Sequence, residues 1–252
     1  YEGVDITAEE FYKRQAAGAE ITSSLPSPGD VMDMWEALLK EHDEVVYIPM
    51  TSGLSTSCHS AVMLAEEYDG RVHVVDNKRI SVTQMQSVFD ACKMAEKGMT
   101  GSQIKQRLEE EALDATIYIA VDTLEYLKKG GRITPAVAAI GSVLNIKPVM
   151  WIGGDKLDAH AKARGMKGAF RKMCKALHED LDGRLKDLHD RGELVLGIAY
   201  TWMEEEELNV WKEELAKEFP GEMIVPGTLM LSIGCHVGPG ALGIGAVRKI
   251  KE

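Results

Sequence analysis

The chain has 252 residues, 45% of them apolar, enough to bury the cores of two modest domains. Its 40 acidic against 29 basic side chains leave a net charge of −11, which argues against a nucleic-acid partner and against docking on anionic lipid through a polybasic patch. No apolar run reaches the length of a bilayer-spanning helix, so no integral membrane segment is expected. Cys58, Cys92, Cys174 and Cys235 are scattered with no C-x-x-C pair, which points to reduced thiols in a cytoplasmic setting and away from zinc or redox chemistry.

In chain order, Ser27 is placed to be an N-cap, with Pro28 at the first helical position and Asp30 as the acidic partner of a capping box. Val31, Met34, Trp35, Leu38 and Leu39 continue that helix at the right spacing. Residues 44–50, EVVYIPM, read as a buried strand. A helix from Ser55 would then align Cys58, Ala61, Val62 and Ala65 on one stripe. A second strand over 70–76 and two helices over 80–96 and 100–113 follow. Strand, helix, strand, helix predicts an α/β layer structure with a mainly parallel sheet.

Beyond Asp114 the pattern changes. TIYIAVD is a strand, TLEYLKKGG a short helix stopped by glycines, and Pro135 opens another short helix through residue 144. Residues 147–164 read as a hairpin turning at Gly153-Gly154-Asp155. A long helix over 166–191, a strand over 193–201, an amphipathic helix over 204–219 and a strand-rich end complete the chain. The expectation is an α+β second domain with a mixed sheet, giving domains 1–114 and 115–252.

The stretch TSGLSTSCHSA, residues 51–61, raises the question of function. Cys58-His59 suggests a thiol nucleophile, but neighbours on a helix point about 100° apart, and Cys58 lies on the apolar stripe. GPGALG, residues 238–243, matches G-x-G-x-x-G, yet the chain leaves no room for the helix and acidic residue that a dinucleotide site needs. No P-loop and no metal-binding motif occurs. The run Glu204 to Glu207 suits the start of a helix. Two hydroxyl clusters remain: Thr22, Ser23 and Ser24 before one helix, and Thr51, Ser52 and Ser55 between strand and helix. Loops beyond the carboxyl ends of parallel strands bind ligands, and amides and hydroxyls at helix starts suit anions. Gly53 would let backbone approach closely. No base is positioned in sequence to activate a serine, so binding is favoured over acylation.

These residues also carry a resemblance. EGVDITAEEFYKR (2–14), SSLPSPGD (23–30), SGLSTS (52–57), VDTLEYLKKGGRI (121–133), LNIKPVM (144–150) and HVGPGALGIG (236–245) resemble motifs of the DegV family of bacterial fatty-acid-binding proteins, over essentially the whole chain. Glu2, Ser23 and Leu25 depart from the family's usual aspartate, threonine and glutamine, and Thr56 and Ser57 from its glycine and threonine. The resemblance implies two domains with a long-chain fatty acid between them, bound without metal or other cofactor. It implies a carboxylate held by Ser23, Ser24 and Ser52, with Ser55 and the Gly53 amide beside them and Arg132 and His236 near the carboxylate or the cleft. It further implies a non-catalytic subunit that presents the acid to an ATP-dependent fatty acid kinase for conversion to acyl-phosphate, in phospholipid synthesis. Family members begin with a strand and a D-S-T-type turn ahead of the segment where this chain starts, so the first sheet is expected to lack one strand here. The alternatives are a hydrolase or acyltransferase using Ser52 or Cys58, and a phosphosugar-binding module.

Overall fold

A computed structural model describes residues 2–138, 145–154 and 156–250. Helix α1 (Ala8–Ala16), not foreseen from the sequence, starts at Thr7, whose Oγ1 accepts a bond from the Glu10 amide at 3.2 Å. Helix α2 (Pro28–Leu38) begins at Pro28 as predicted, but the Ser27 side chain makes no capping bond. The parallel pair β1 (Val45–Tyr47) and β2 (Val72–Val74) flanks α3 (Ser57–Ala65) in sequence. Trp35, Val45, Cys58, Ala61, Val72 and Val74 share one core. Val62, expected on the inward stripe, is exposed, and Leu64 packs against that core instead. Helices α4 (Ser81–Glu96) and α5 (Gly101–Glu110) follow, the latter opened by a reciprocal Thr100–Gln103 capping box.

The rest of the chain builds a six-stranded sheet from β3 (Ala115–Ala120), β4 (Ile146–Ile152), β5 (Asp158–Arg164), β6 (Leu194–Tyr200), β7 (Ile224–Thr228) and β8 (Leu242–Arg248). Its order is β5-β4-β3-β8-β6-β7, antiparallel except for the β6–β7 pair. The short helices α6 (Glu125–Gly130) and α7 (Pro135–Ala138) follow β3, and Gly131 in the left-handed region ends α6. The remainder of the helix expected through 144, and Asp155 of the hairpin turn, lie outside the described residues. The helix expected over 166–191 is two helices, α8 (Gly165–Asp182) and α9 (Lys186–Asp190), because Gly183 breaks the helical dihedrals at φ −108° and ψ −110°. Helix α10 (Glu205–Glu218) turns Leu208, Trp211 and Leu215 inward. The strand-rich end also holds a helix, α11 (Leu231–Val237), and the glycines of GPGALG turn the chain from it into β8.

The two faces of this sheet differ in kind. Leu196, Ile198, Leu242 and Ile244 point to one side, where they pack with α8 and α10 residues including Phe170, Leu177 and Trp211. The alternate positions on the central strands are small. Gly197 pairs with Gly245 and Ala199 with Gly243. At Gly245 a Cβ would collide with the Thr116 carbonyl, and at Gly197 it would come within 2.8 Å of Val82 Cβ. Val82, in the first turn of α4, also sits against Gly227. A helix from the first half of the chain is thus seated in a notch on the second half's sheet. Gly197→Ala should overpack that notch and lower stability by about 1–3 kcal/mol, read by denaturant melts. Adding Val82→Ala should return part of the loss; no return would show that the notch is not what position 197 needs.

Candidate functional site

Where α4 does not cover it, the small-residue face borders a cavity of about 1130 Å³. That is slightly above the ~300–1,000 Å³ usual for ligand sites. Ile117, Ile119, Ala199 and Gly243 belong to its sheet side, and Leu127, Leu157, Leu229, Ile233 and Val237 come from α6, α11 and the connecting segments. Gly243 has no room for a side chain, since its Cβ would lie 3.1 Å from the Tyr118 carbonyl. The thirteen methionines of the chain are not its wall: Met50 alone lines the cavity.

All seven residues singled out from the sequence, Ser23, Ser24, Ser52, Gly53, Ser55, Arg132 and His236, line this one cavity. Their hydroxyls are not equivalent. Ser23 Oγ lies 2.8 Å from His236 Nε2. The imidazole reaches that position because residue 130 is glycine; a Cβ there would collide with Nδ1. Arg132 approaches the same group, its Nη1 donating to the Gly130 carbonyl. Burial, then the nearby guanidinium, holds His236 below the ordinary imidazole pKa. Cys235 sits behind them with its thiol donating to the Ser232 carbonyl at 3.1 Å, and burial pushes that thiol's pKa up.

The second cluster is occupied differently. Ser52 Oγ donates to Asp76 Oδ2 at 2.6 Å and accepts from Lys78 Nζ at 2.6 Å, and Lys78 also pairs with Asp76 at 2.5 Å. Burial pushes the Asp76 carboxyl up, but the bonds from Lys78 and Ser52 outweigh it and hold the pKa below the usual range. The Gly53 amide donates to Thr51 Oγ1 at 3.2 Å, while that hydroxyl donates to the Gly154 carbonyl at 2.5 Å. Ser55 Oγ accepts from the Ser57 amide at 3.1 Å and contacts Ser57 Oγ, so it opens α3 as a cap would. Ser24 lines the cavity from an exposed position.

Ser81, which lines the cavity, and Asp76 and Lys78, which bond the lining residue Ser52, are residues that sequence reading passed over. Lys78, in the link between β2 and α4, and Ser81, the first residue of α4, both hold positive φ, 58° and 59°. The signal was available: DNKR follows a parallel strand, and strand-end loops of that kind build sites. Cys58 is buried in the first-half core, and burial pushes its thiol up to about 11, so it stays protonated at neutral pH. His59 beside it is exposed. No group of three His, Cys, Asp or Glu side chains among the described residues is arranged to hold a metal ion. Among the same residues no helix is long and apolar enough to cross a membrane.

Known proteins share this fold. The model of the DegV family of uncharacterised proteins matches residues 1–249. A DegV domain-containing protein of Caldanaerobacter subterraneus is 31% identical, over 96% of this chain and 84% of its own length. A fatty-acid-binding DegV family protein from Thermus thermophilus superposes with a TM-score of 0.84 at 31% identity, covering 98% of this chain and 86% of that one. A stearic-acid-binding protein from Eubacterium ventriosum gives 0.85 at 26% identity, covering 98% and 86%. The fatty-acid-binding DegV of Bacillus subtilis gives 0.80 at 28%, covering 96% and 84%. The motif match along residues 1–249 and the shared architecture lead to one conclusion: the chain belongs to the DegV family.

Proposed function

We propose that this protein binds a long-chain fatty acid in the 1130 Å³ cavity, between parts of the chain divided near residue 114, with the carboxylate at Ser23, His236 and Arg132. The observation that carries the reading is a cavity with apolar walls and a polar group of Ser23, His236 and Arg132 at one place on its lining. Each methylene removed from water contributes about 0.8 kcal/mol. Some fifteen of them offer on the order of 10 kcal/mol before the costs of association. The sheet side and the α6 and α11 walls supply that apolar contact. Fatty-acid-binding relatives of the same fold support it.

The polar end suits an anion better than the Ser52 cluster does. Asp76 faces Ser52 and would repel a carboxylate, and Lys78 is already neutralised by it. Ser23 has one proton and two lone pairs, so it can accept from His236 Nε2–H and still donate to a carboxylate. Arg132 then supplies charge without being locked in a bidentate fork. Ser24, Ser52, Gly53 and Ser55 shape the mouth in this reading.

The Ser23–His236 bond also fits a second reading, a serine-dependent hydrolase or acyltransferase. A general base is normally oriented and made more basic by a carboxylate. His236 instead has an arginine beside it and a depressed pKa, which favours binding. The sequence has no nucleotide-cradling motif, so we assign phosphorylation of the bound acid to a separate ATP-dependent kinase. We place the protein in a reducing, cytoplasmic compartment on the strength of its four free cysteines.

Ser23→Ala or Arg132→Gln should weaken binding of hexadecanoic acid by roughly ten- to a hundredfold, the value of a lost hydrogen bond to a charged group. Titration calorimetry on delipidated protein reads this, and unchanged affinity in both variants would remove the proposed carboxylate position. A second expectation concerns pH. The folded-state pKa of His236 lies below its unfolded value near 6.5, so its contribution is fully present above that value and is lost as pH falls through the folded pKa. Wild-type protein should therefore lose more stability between pH 8 and pH 5 than His236→Gln; parallel curves would contradict it. Finally, the chain incubated with ATP, magnesium and fatty acid should yield no acyl-phosphate, and turnover by this chain alone would overturn the carrier role.

A further inference from the structure

The sequence around His236 leaves one carbonyl of α11 without a backbone donor. In helical register the Cys235 carbonyl would accept from the amide four residues on, and residue 239 is proline, which has none. The Gly238 amide is already taken by the Gly234 carbonyl at 2.8 Å. Helix ends meet such orphan carbonyls with water, a side chain or a tighter turn. Here the donor comes from α1. Gln15 Nε2 donates to the Cys235 carbonyl at 3.2 Å and to the Gly234 carbonyl at 3.3 Å. Both partners are acceptors, so the NH2 end of the amide must face them. Gln15 is 3% exposed, and its bonds are sheltered from water.

The Cys235 carbonyl lies in the same peptide plane as the His236 amide. Holding that plane holds the backbone from which the imidazole reaches Ser23 over Gly130. The other partner of the pair is fastened to the same helix. Ile21, two residues before Ser23, packs against the cluster of Phe11, Tyr12, Leu231 and Cys235. Helix α1 is thus a platform to which both Ser23 and His236 are attached. Tyr12 seats α11 at Gly234, where a Cβ would collide with the tyrosine hydroxyl, and Glu2 caps the start of α11 by accepting from the Leu231 amide at 2.9 Å. Those contacts locate α11 as a body. The Gln15 bonds act on the peptide next to the imidazole.

We propose that Gln15 is a positioning residue of the carboxylate site: its side-chain amide stands in for the donor that Pro239 lacks and sets His236 at its distance from Ser23. This rests on the fatty-acid reading above. Gln15 does not line the cavity, so it acts on the ligand only through its neighbours. Losing the amide would leave the Cys235 carbonyl buried and unmet, and the last turn of α11 would relax toward another donor. The Ser23–His236 bond, and the carboxylate contact that shares Ser23, would weaken together. The sheet side of the cavity does not depend on this amide.

The test compares hexadecanoic acid with hexadecan-1-ol, which has the same tail and no carboxylate. Titration calorimetry is run on delipidated wild-type, Gln15→Met, His236→Gln and doubly substituted protein. Gln15→Met should bind the acid about tenfold more weakly and the alcohol with unchanged affinity. In the His236→Gln background the same substitution should have no further effect on the acid, because both changes act on one contact. Should Gln15→Met fail to fold, Gln15→Asn, which keeps the amide but withdraws it by one methylene, carries the same expectations. Equal losses for acid and alcohol, the same loss retained without His236, or unchanged acid affinity would each overturn the positioning role. Wild-type protein that binds neither ligand overturns the fatty-acid reading itself.

Discussion

Gly197 faces Gly245, and Ala199 faces Gly243, across the antiparallel ladder of β6 and β8. Strand side chains alternate between faces, so the same two strands send Leu196, Ile198, Leu242 and Ile244 the other way. One face of the sheet is therefore filled by α8 and α10, and the opposite face has almost no side chains at its centre. Protein interiors tolerate little empty space, and a bare face must be covered or occupied. The structure does both. Val82 of α4 fills the notch at Gly197 and Gly227, and the remaining area borders the cavity. The void is a consequence of the glycine pattern, held open by strands that cannot take a Cβ at Gly243 or Gly245 without pushing on a neighbouring carbonyl.

Seating α4 on that face obliges the two parts of the chain to stay together, and a set of buried polar contacts does so. Within the first part, Arg79, 3% exposed, fixes the start of α4 to the end of α5 by donating to the Glu111 carbonyl at 2.5 Å and to Ser87 Oγ at 3.0 Å, and the contacts that cross to the second part start from there. Arg248, at the end of β8, pairs with Glu111 at 3.0 Å and Asp114 at 2.9 Å. Asp90 of α4 accepts the Ile250 amide at 3.0 Å, and burial pushes its carboxyl pKa up. Removing one member of such a network leaves its partners buried and unmet, which costs more than the intact contacts contribute. The cavity wall formed by Ile80, Ser81 and Gln84 is thereby held against the strands.

The order of strands and helices was largely legible, because β3 and β6 are short continuous apolar runs bounded by polar residues and α10 has a helical pattern. The missed features have local causes. Helix α11, LSIGCHV, carries a glycine that lowers helix propensity, but Gly234 is where α1 presses closest: a Cβ there would come within 2.9 Å of the Tyr12 ring carbon Cζ. Tertiary contact decides that helix. Gly183 splits α8 from α9 within a stretch that reads as continuous. The hydroxyl-rich loops line the large cavity, yet sequence could not say which hydroxyls are already bonded. Ser52 and Ser55 look alike in SGLS, and only the fold shows one tied to Asp76 and Lys78 and the other to Ser57. Glycines at 243 and 245, alternating with Leu242 and Ile244, were the clearest unread sign of a cavity.

Net charge bears differently on two classes of ligand. A surface with −11 overall disfavours a polyanion that must lie across it, because many exposed charges act together. A single carboxylate entering a cavity experiences mostly its neighbours. Exposed charges further than about 8 Å are screened at physiological salt, whereas groups inside a poorly hydrated pocket interact strongly. Arg132, with Ser23 and His236 arranged around it, therefore outweighs distant surface acids such as those of α10. Asp76, behind Ser52, is paired with Lys78 and contributes little net field, and the carboxylate that lines the cavity, Asp30, is exposed. An acidic protein can thus hold a fatty-acid anion, provided that a cation at the polar end is not neutralised by a carboxylate. Arg132 meets that condition by donating to the neutral carbonyl of Gly130.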